Sequence, residues 1–309
     1  MTSTTNTTGG AERADIYQRI TDQIAAAIEA GAGRYEMPWH RAAGVPMNAS
    51  SRNPYRGINT IMLWAAAQAK GYPSDIWATF KQWKEMGASV RKGETATSIV
   101  FWKISDPKDP EAEDGADEAT GRRSRVLARG YAVFNAAQVD GYDAPAMPVL
   151  PPAERVDGAE RFFAGLGADI RHGGARAYYA PSLDRIQMPP FEAFRSGVAY
   201  YGTLAHEATH WTSHPSRCAR DLKGRFGDEA YAAEELVAEL GAAFLAADLD
   251  LEPEPRPDHA AYIASWLRAL KNDKRAIFTA AGKAQAAVDW MHAHQGRPAA
   301  AEEGEAIAA

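Results

Sequence analysis

Three residues in one stretch have the types and spacing of a metal centre: His206, Glu207 and His210, in Thr203-Leu-Ala-His206-Glu207-Ala-Thr-His210-Trp211. On a helix, residues four apart share a face, so both imidazoles can reach one ion. Glu207 beside them can take a proton from a water that the ion activates. The alternative is a chance five-residue match on a polar helix, and a third ligand decides between the two. Glu235 and Glu239 sit one turn apart in Tyr231-Ala-Ala-Glu234-Glu235-Leu-Val-Ala-Glu239-Leu, where Leu236, Leu240, Ala243 and Phe244 mark a buried helix face. Buried carboxylates are costly unless paired or bound to a cation. Glu235 as ligand and Glu239 as acceptor of a ligand histidine N–H satisfy both, and Glu234 then falls to solvent. Two histidines, a glutamate and an open position are the donor set of a catalytic Zn2+ site, although Mn2+ or another divalent ion also takes such donors. His214, four residues past His210, is a transition-state donor, a group behind the ligands or, more simply, a capping histidine that Pro215 turns away from the ligand face.

These residues need elements to hold them. Only Gly202 interrupts the helix-compatible run from Gly197 to His210. Two short strands, 177–181 and 184–189, precede that helix, and the one just ahead of it can offer its edge to an extended peptide. Helices over 258–270 and 274–294 follow. In the first half, Ile16, Ile20, Ile24 and Ile28 give a helix over 11–30, and 61–70 reads as another. The β-branched and aromatic run Thr97 to Lys103 reads as a strand paired with 125–135. The acidic insert 104–123 between them reads as a mobile hairpin loop. Pro-rich residues 143–156 read as a linker, and 1–11 and 296–309 as disordered tails.

At 309 residues the chain is long enough for two domains with separate cores. No apolar run approaches the roughly 20 residues that span a bilayer, and no signal peptide is visible. The expectation is a cytoplasmic protein without a membrane partner. Cys218 is the single cysteine, which fits a reducing cytosol and reads as a packing residue. Residues 1–150 carry 17 Lys and Arg against 17 Asp and Glu, but seven of those acids lie in 106–118. Without that run the first half is basic, which suggests a binding surface for an anionic partner. Arg52, Tyr55, Arg56, Lys81, Lys84, Arg91 and Lys92 interleave cations with rings, as single-stranded nucleic acid requires. The competing reading places Trp64, Trp77, Phe80 and Trp83 in the core, with the charges as a solvated rim.

The segments Asn53-Pro-Tyr55-Arg56-Gly57-Ile58-Asn59, Thr79-Phe80-Lys81-Gln82-Trp83, Val90-Arg91-Lys92-Gly93-Glu94 and Phe134-Asn135-Ala-Ala-Gln138 resemble the ArdC antirestriction proteins and the equivalent module of TraC-type plasmid primases. His206-Glu207-x-x-His210 with Glu235-Leu-Val-Ala-Glu239 resembles the zincin-like domain that follows it in ArdC. The resemblance covers about residues 12–295. It implies an α+β chain of two domains: a single-stranded-DNA-binding α+β domain over 12–142, and a mainly helical metallopeptidase domain over 157–295. It also implies a mobile-element protein that protects incoming DNA from host restriction, with a host protein as one possible peptidase substrate. Two alternatives stay open: a cytosolic zinc peptidase whose first domain binds a protein partner, and a DNA-binding protector whose metal is structural.

Overall fold

A computed structural model describes residues 16–32, 37, 39, 44–105, 113–116, 123–143, 152–222, 229–251 and 260–296. The expected tails, 1–11 and 296–309, lie outside these residues except for Gly296, as do much of the acidic insert and residues 144–151 of the expected linker. The chain forms two compact units: Met1–Ile24 with Pro46–Ala146, and Ala25–Val45 with Met147–Ala309. The division falls within the first helix, α1 (Ile16–Ala32), whose four isoleucines at four-residue spacing are all buried.

The first unit is built on a long strand, β6 (Arg123–Asn135). On one side it pairs antiparallel with β4 (Thr97–Ser105), in a register from Thr97↔Val133 to Ser105↔Arg125. On the other side it pairs with β2 (Ile76–Thr79) and with β5 (Glu113–Ala116); β2 in turn takes the two-residue β1 (Met47–Asn48) in parallel. The strand β5 corrects the expectation of a loop throughout 104–123: part of the acidic insert extends the ladder. Side chains alternate along β2. Trp77 packs under Leu63 and Ala67 of α2 (Ile58–Lys70), while Ile76 and Ala78 pack with Trp83 of α3 (Phe80–Glu85).

Two of the quoted motifs are capping boxes. Thr79 Oγ1 accepts from the Gln82 amide while Gln82 Oε1 accepts from the Thr79 amide, starting α3; Asn135 and Gln138 repeat the device over the 3-10 turn Ala136–Gln138. A third motif residue protects an edge. The Asn59 carboxamide donates to the Val100 carbonyl at 2.7 Å and accepts from its amide at 2.8 Å, covering main-chain groups on the free side of β4. Beyond the 3-10 turn, β7 (Val139–Asp140) pairs with β3 (Ser89–Val90).

In the second unit, Ala25–Val45 is followed by α4 (Pro152–Gly165), which starts inside the stretch expected to be linker; Pro is favoured in a first helical turn, where its missing N–H is no loss. A three-stranded sheet follows in the order β8 (Asp169–His172), β10 (Arg185–Met188), β9 (Tyr178–Ala180). Then come α5 (Gly197–Trp211), α6 (Glu229–Asp248), α7 (Ala260–Asn272) and α8 (Ala276–Ala293). Ser196 Oγ caps α5 by accepting from the Ala199 amide at 3.0 Å. Helix α6 packs on α5, α7 and α8. Among the described residues no helix is long and apolar enough to cross a membrane.

Candidate metal centre

His206 and His210 project from one face of α5, with ring centroids 4.9 Å apart. Where α6 crosses α5, Gly241 lies against Thr209: a Cβ at Gly241 would stand 2.5 Å from Thr209 Cγ2. That close approach brings the glutamates of α6 to the two histidines. Glu235 Oε2 is 3.5 Å from His206 Nε2, and Glu235 Oε1 is 3.6 Å from His210 Nε2. Ligands about 2.0–2.2 Å from one tetrahedral ion stand roughly 3.3–3.6 Å apart, so the three donors are spaced for a divalent cation. His206, His210 and Glu235 present ligand atoms within 4.8 Å of one another.

The far ring nitrogens meet carboxylates as well. Glu239 Oε2 lies 3.6 Å from His206 Nδ1, just beyond hydrogen-bond length. Glu234 Oε1 lies 3.3 Å from His210 Nδ1. The second contact overturns the expectation that Glu234 faces solvent: its side chain is 11% exposed and is gripped by Arg220, whose guanidinium donates to both Glu234 oxygens, to Thr212 Oγ1 and to the Thr209 carbonyl. Burial pushes the Glu234 carboxyl up, but hydrogen bonds from His210 and Arg220 outweigh it and hold the group below the ordinary range. Glu235 behaves alike: burial raises it, and the two histidines together with Tyr231 bring it below its usual value. Glu235 is thereby held anionic among the ligand atoms, while the charge of Glu234 is balanced by Arg220.

Glu207 is buried beside the triad and lines the same cavity of about 320 Å³. Tyr231 and Tyr262 also line it, with hydroxyl oxygens 3.4 Å apart. Burial, then the Tyr262 hydroxyl and Glu235, push the Tyr231 phenol well above its usual range, so it stays protonated. His214 does not join the cluster: its Nδ1 is taken up by the Ser216 hydroxyl at 2.8 Å and amide at 3.2 Å, the local capping role. Cys218 is half-buried, away from the triad, with its Sγ 3.8 Å from the Ala286 carbonyl. The expected peptide edge also moves. The strand just ahead of the helix, β10, is paired on both sides, so among the described residues the unpaired edge beside the cavity belongs to β9, whose Tyr178 and Tyr179 line it. Sequence reasoning missed Glu234, Arg220 and Tyr231; only the glutamate pair on one helix turn carried any signal.

In the first unit, the proposed DNA contacts separate into two groups. Asn48 Nδ2 donates to the Tyr55 hydroxyl at 2.9 Å and to Gln82 Oε1 at 3.4 Å, bringing the 48–56 loop to the start of α3. Arg52, Arg56, Lys81, Lys84 and Lys92 are exposed; Arg52 holds a left-handed backbone (φ 60°), and Lys81 pairs with Glu85 at 3.6 Å on the surface. Tyr55 is half-buried, and burial pushes its phenol up. Arg91 is a structural bracket: its guanidinium binds the Ala137 and Val139 carbonyls, Glu94 at 3.0 Å and Asp140 at 3.5 Å. Trp64, Trp77 and Trp83 are core, as the competing reading held, but Phe80 is 57% exposed, and Phe101 and Tyr131 form an exposed edge-to-face pair at 6.1 Å.

A model of the N-terminal domain of the anti-restriction factor ArdC matches residues 14–134, and one of a zincin-like metallopeptidase matches residues 157–283. An uncharacterized protein of Sinorhizobium fredii, y4eC, is 56% identical over 284 residues, covering 91% of this chain and 92% of that one. A DNA primase TraC of Escherichia coli is 37% identical over 308 residues, and this chain spans only 27% of its length. Crystal structures of the antirestriction protein ArdC from plasmid R388, metal-free and Mn(II)-bound, share 44% and 43% identity with this chain at a TM-score of 0.73. The match covers 91% of this chain and 97% and 98% of theirs. Similarity of that extent, running through both units, makes this chain a member of the ArdC antirestriction family.

Proposed function

We propose that the protein protects incoming DNA from host restriction by holding it single-stranded on the first unit, and that the second unit is a metallopeptidase acting on a host protein in the cytoplasm. The observation that carries the peptidase reading is the separation of roles in the cavity. Two imidazoles and Glu235 converge as ligands, while Glu207 is left beside them as a base. A divalent ion, Zn2+ or Mn2+, would be held there by His206, His210 and Glu235 and would supply a Lewis acid that lowers the pKa of a water. Glu207 takes the proton of the attacking water and passes it to the departing amine. The protonated Tyr231 hydroxyl donates to Glu235 and keeps that carboxylate in the ligand position. The free edge of β9 aligns an extended peptide. The Mn(II)-bound state of the R388 relative supports a divalent ion over a purely apo role.

Support for DNA comes from the exposed cations Arg52, Arg56, Lys81, Lys84 and Lys92 with Phe80 as a stacking ring, and from the primase TraC that shares this region. A labelled single-stranded oligonucleotide titrated with the full chain across a salt series tests it. With three or four phosphates neutralised, log affinity should fall with log salt at a slope of roughly −2 to −3, and Lys81→Glu/Lys84→Glu should flatten it. An absence of binding at low salt would leave the peptidase with a protein partner as the better reading. Glu207→Gln should keep the metal and lose hydrolysis. If that variant still protects DNA fully, the metal is structural for antirestriction.

A further inference from the structure

The Glu239 carboxylate is 4% exposed, and burying it demands donors. One donor comes from far away in sequence: the Trp39 indole N–H reaches Glu239 Oε1 at 3.2 Å, across 200 residues. Trp39 lies in the segment Ala25–Val45, which belongs to the second unit although it precedes the body of the first. The indole is 1% exposed and meets Trp266 of α7 edge-on at 6.1 Å; Trp266 in turn donates its own N–H to the Ala232 carbonyl of α6 at 3.1 Å. Trp39 is thus fixed by α7 while its polar atom holds a side chain of α6.

We infer that Trp39 is a positioning residue of the metal centre: by occupying Oε1 of Glu239 it aims Oε2 at Nδ1 of His206, and so sets the direction of the nitrogen that faces Glu235. The inference rests on the reading of His206, His210 and Glu235 as a metal site. Its physical basis is that a histidine ligand is oriented by what its other nitrogen meets, and that the acceptor must itself be held. Without the indole N–H, Oε1 loses a buried donor, and the balance of contacts that directs the Glu239 carboxylate toward His206 shifts. A tryptophan used only for packing would leave that geometry indifferent to its N–H. Phenylalanine separates the two roles, because it keeps a ring against Trp266 and removes the donor.

The full chain, stripped of metal, is titrated with Zn2+ against a chromophoric chelator as wild type, Trp39→Phe, Glu239→Gln and the double variant. Wild type should bind one ion. Each single variant should bind it about 10-fold or more weakly at unchanged stoichiometry, and the double should be no weaker than the weaker single, because both remove one linkage. In wild type the Trp39 indole N–H resonance should move on addition of Zn2+, and in Glu239→Gln it should not; this readout survives a Trp39→Phe protein that fails to fold. Trp39→Phe within two-fold of wild type, additive losses in the double variant, or an indole resonance indifferent to Zn2+ overturns the inference. A wild-type chain that binds no metal overturns the metal reading and this inference with it.

Discussion

At the scale of residues, the centre is a set of charges arranged in rings around two imidazoles. The inner ring was legible in the sequence, because His206 to His210 and Glu235 to Glu239 both obey the four-residue period of a helix. Glu234 was not. A neighbour of an inward residue on a helix points about 100° away, which ordinarily means solvent; here it meets His210, and Arg220 from the turns beyond α5 supplies the counter-charge. Nothing in the spacing of Arg220 and Glu234 announces that pairing, since the contact depends on how α6 lies on α5. With the Arg220 side chain 5% exposed and that of Glu234 11% exposed, removing one partner leaves an uncompensated buried charge. Arg220→Met should therefore cost about 3 kcal/mol in urea unfolding of the metal-free chain and weaken metal binding. Arg220→Met with Glu234→Met should recover most of the stability while leaving metal affinity low, because His210 then loses its acceptor. Equal losses in the single and double variants would show that the ion pair matters less than the hydrogen bonds of Arg220 to Thr212 and Thr209.

Among the elements, periodicity served well where one face packs and poorly where pairing or crossing decides. The β4–β6 pair was readable from its β-branched and aromatic runs. The strand β5 was not, because Glu, Asp and Gly are poor strand formers, and it exists because β6 is long enough to offer a second partner edge. The resemblance motifs of the first unit turned out to be scaffolding: two capping boxes and an edge-protecting asparagine, with exposed rings and cations beside them. The decisive element contact of the second unit is the α5–α6 crossing. Its signature is a glycine in mid-helix, which normally costs about 1 kcal/mol against alanine. Gly241→Ala should reverse that expectation. The added methyl meets Thr209 on α5, forces the helices apart, and should destabilise by about 1–3 kcal/mol while separating Glu235 from the histidines and lowering metal affinity. Thr209→Ala in the same chain should restore both, as chemical unfolding and metal titration would register. If Gly241→Ala proves more stable than wild type, the close approach does not set the site.

For the molecule as a whole, the order of the sequence and the order of the packed units differ. The two family models divide the chain as a linear pair, 14–134 and 157–283, and a sequence reading does the same. Packing instead places Ala25–Val45 with the unit that carries the candidate metal centre, where Ile28, Met37 and Trp39 are buried. Linear patterning cannot reveal such an exchange, because a buried tryptophan looks the same in sequence whichever core it enters. It follows that cutting the chain at the Pro-rich stretch does not release the second unit intact. A protein comprising 147–309 alone loses three large buried side chains, each worth about 1.5–3 kcal/mol of burial, although part of that is recovered by collapse of the surface they leave. It should melt well below the corresponding transition of the full chain in calorimetry, and should bind Zn2+ more weakly by at least the factor seen for Trp39→Phe. A synthetic peptide spanning 25–45, added in trans, should raise both toward the intact value, and the same peptide with Trp39→Phe should raise the melting temperature more than the metal affinity. If 147–309 alone matches the full chain in both measurements, the segment is a passenger of the second unit, and the metal centre is built by that unit's remaining helices and sheet.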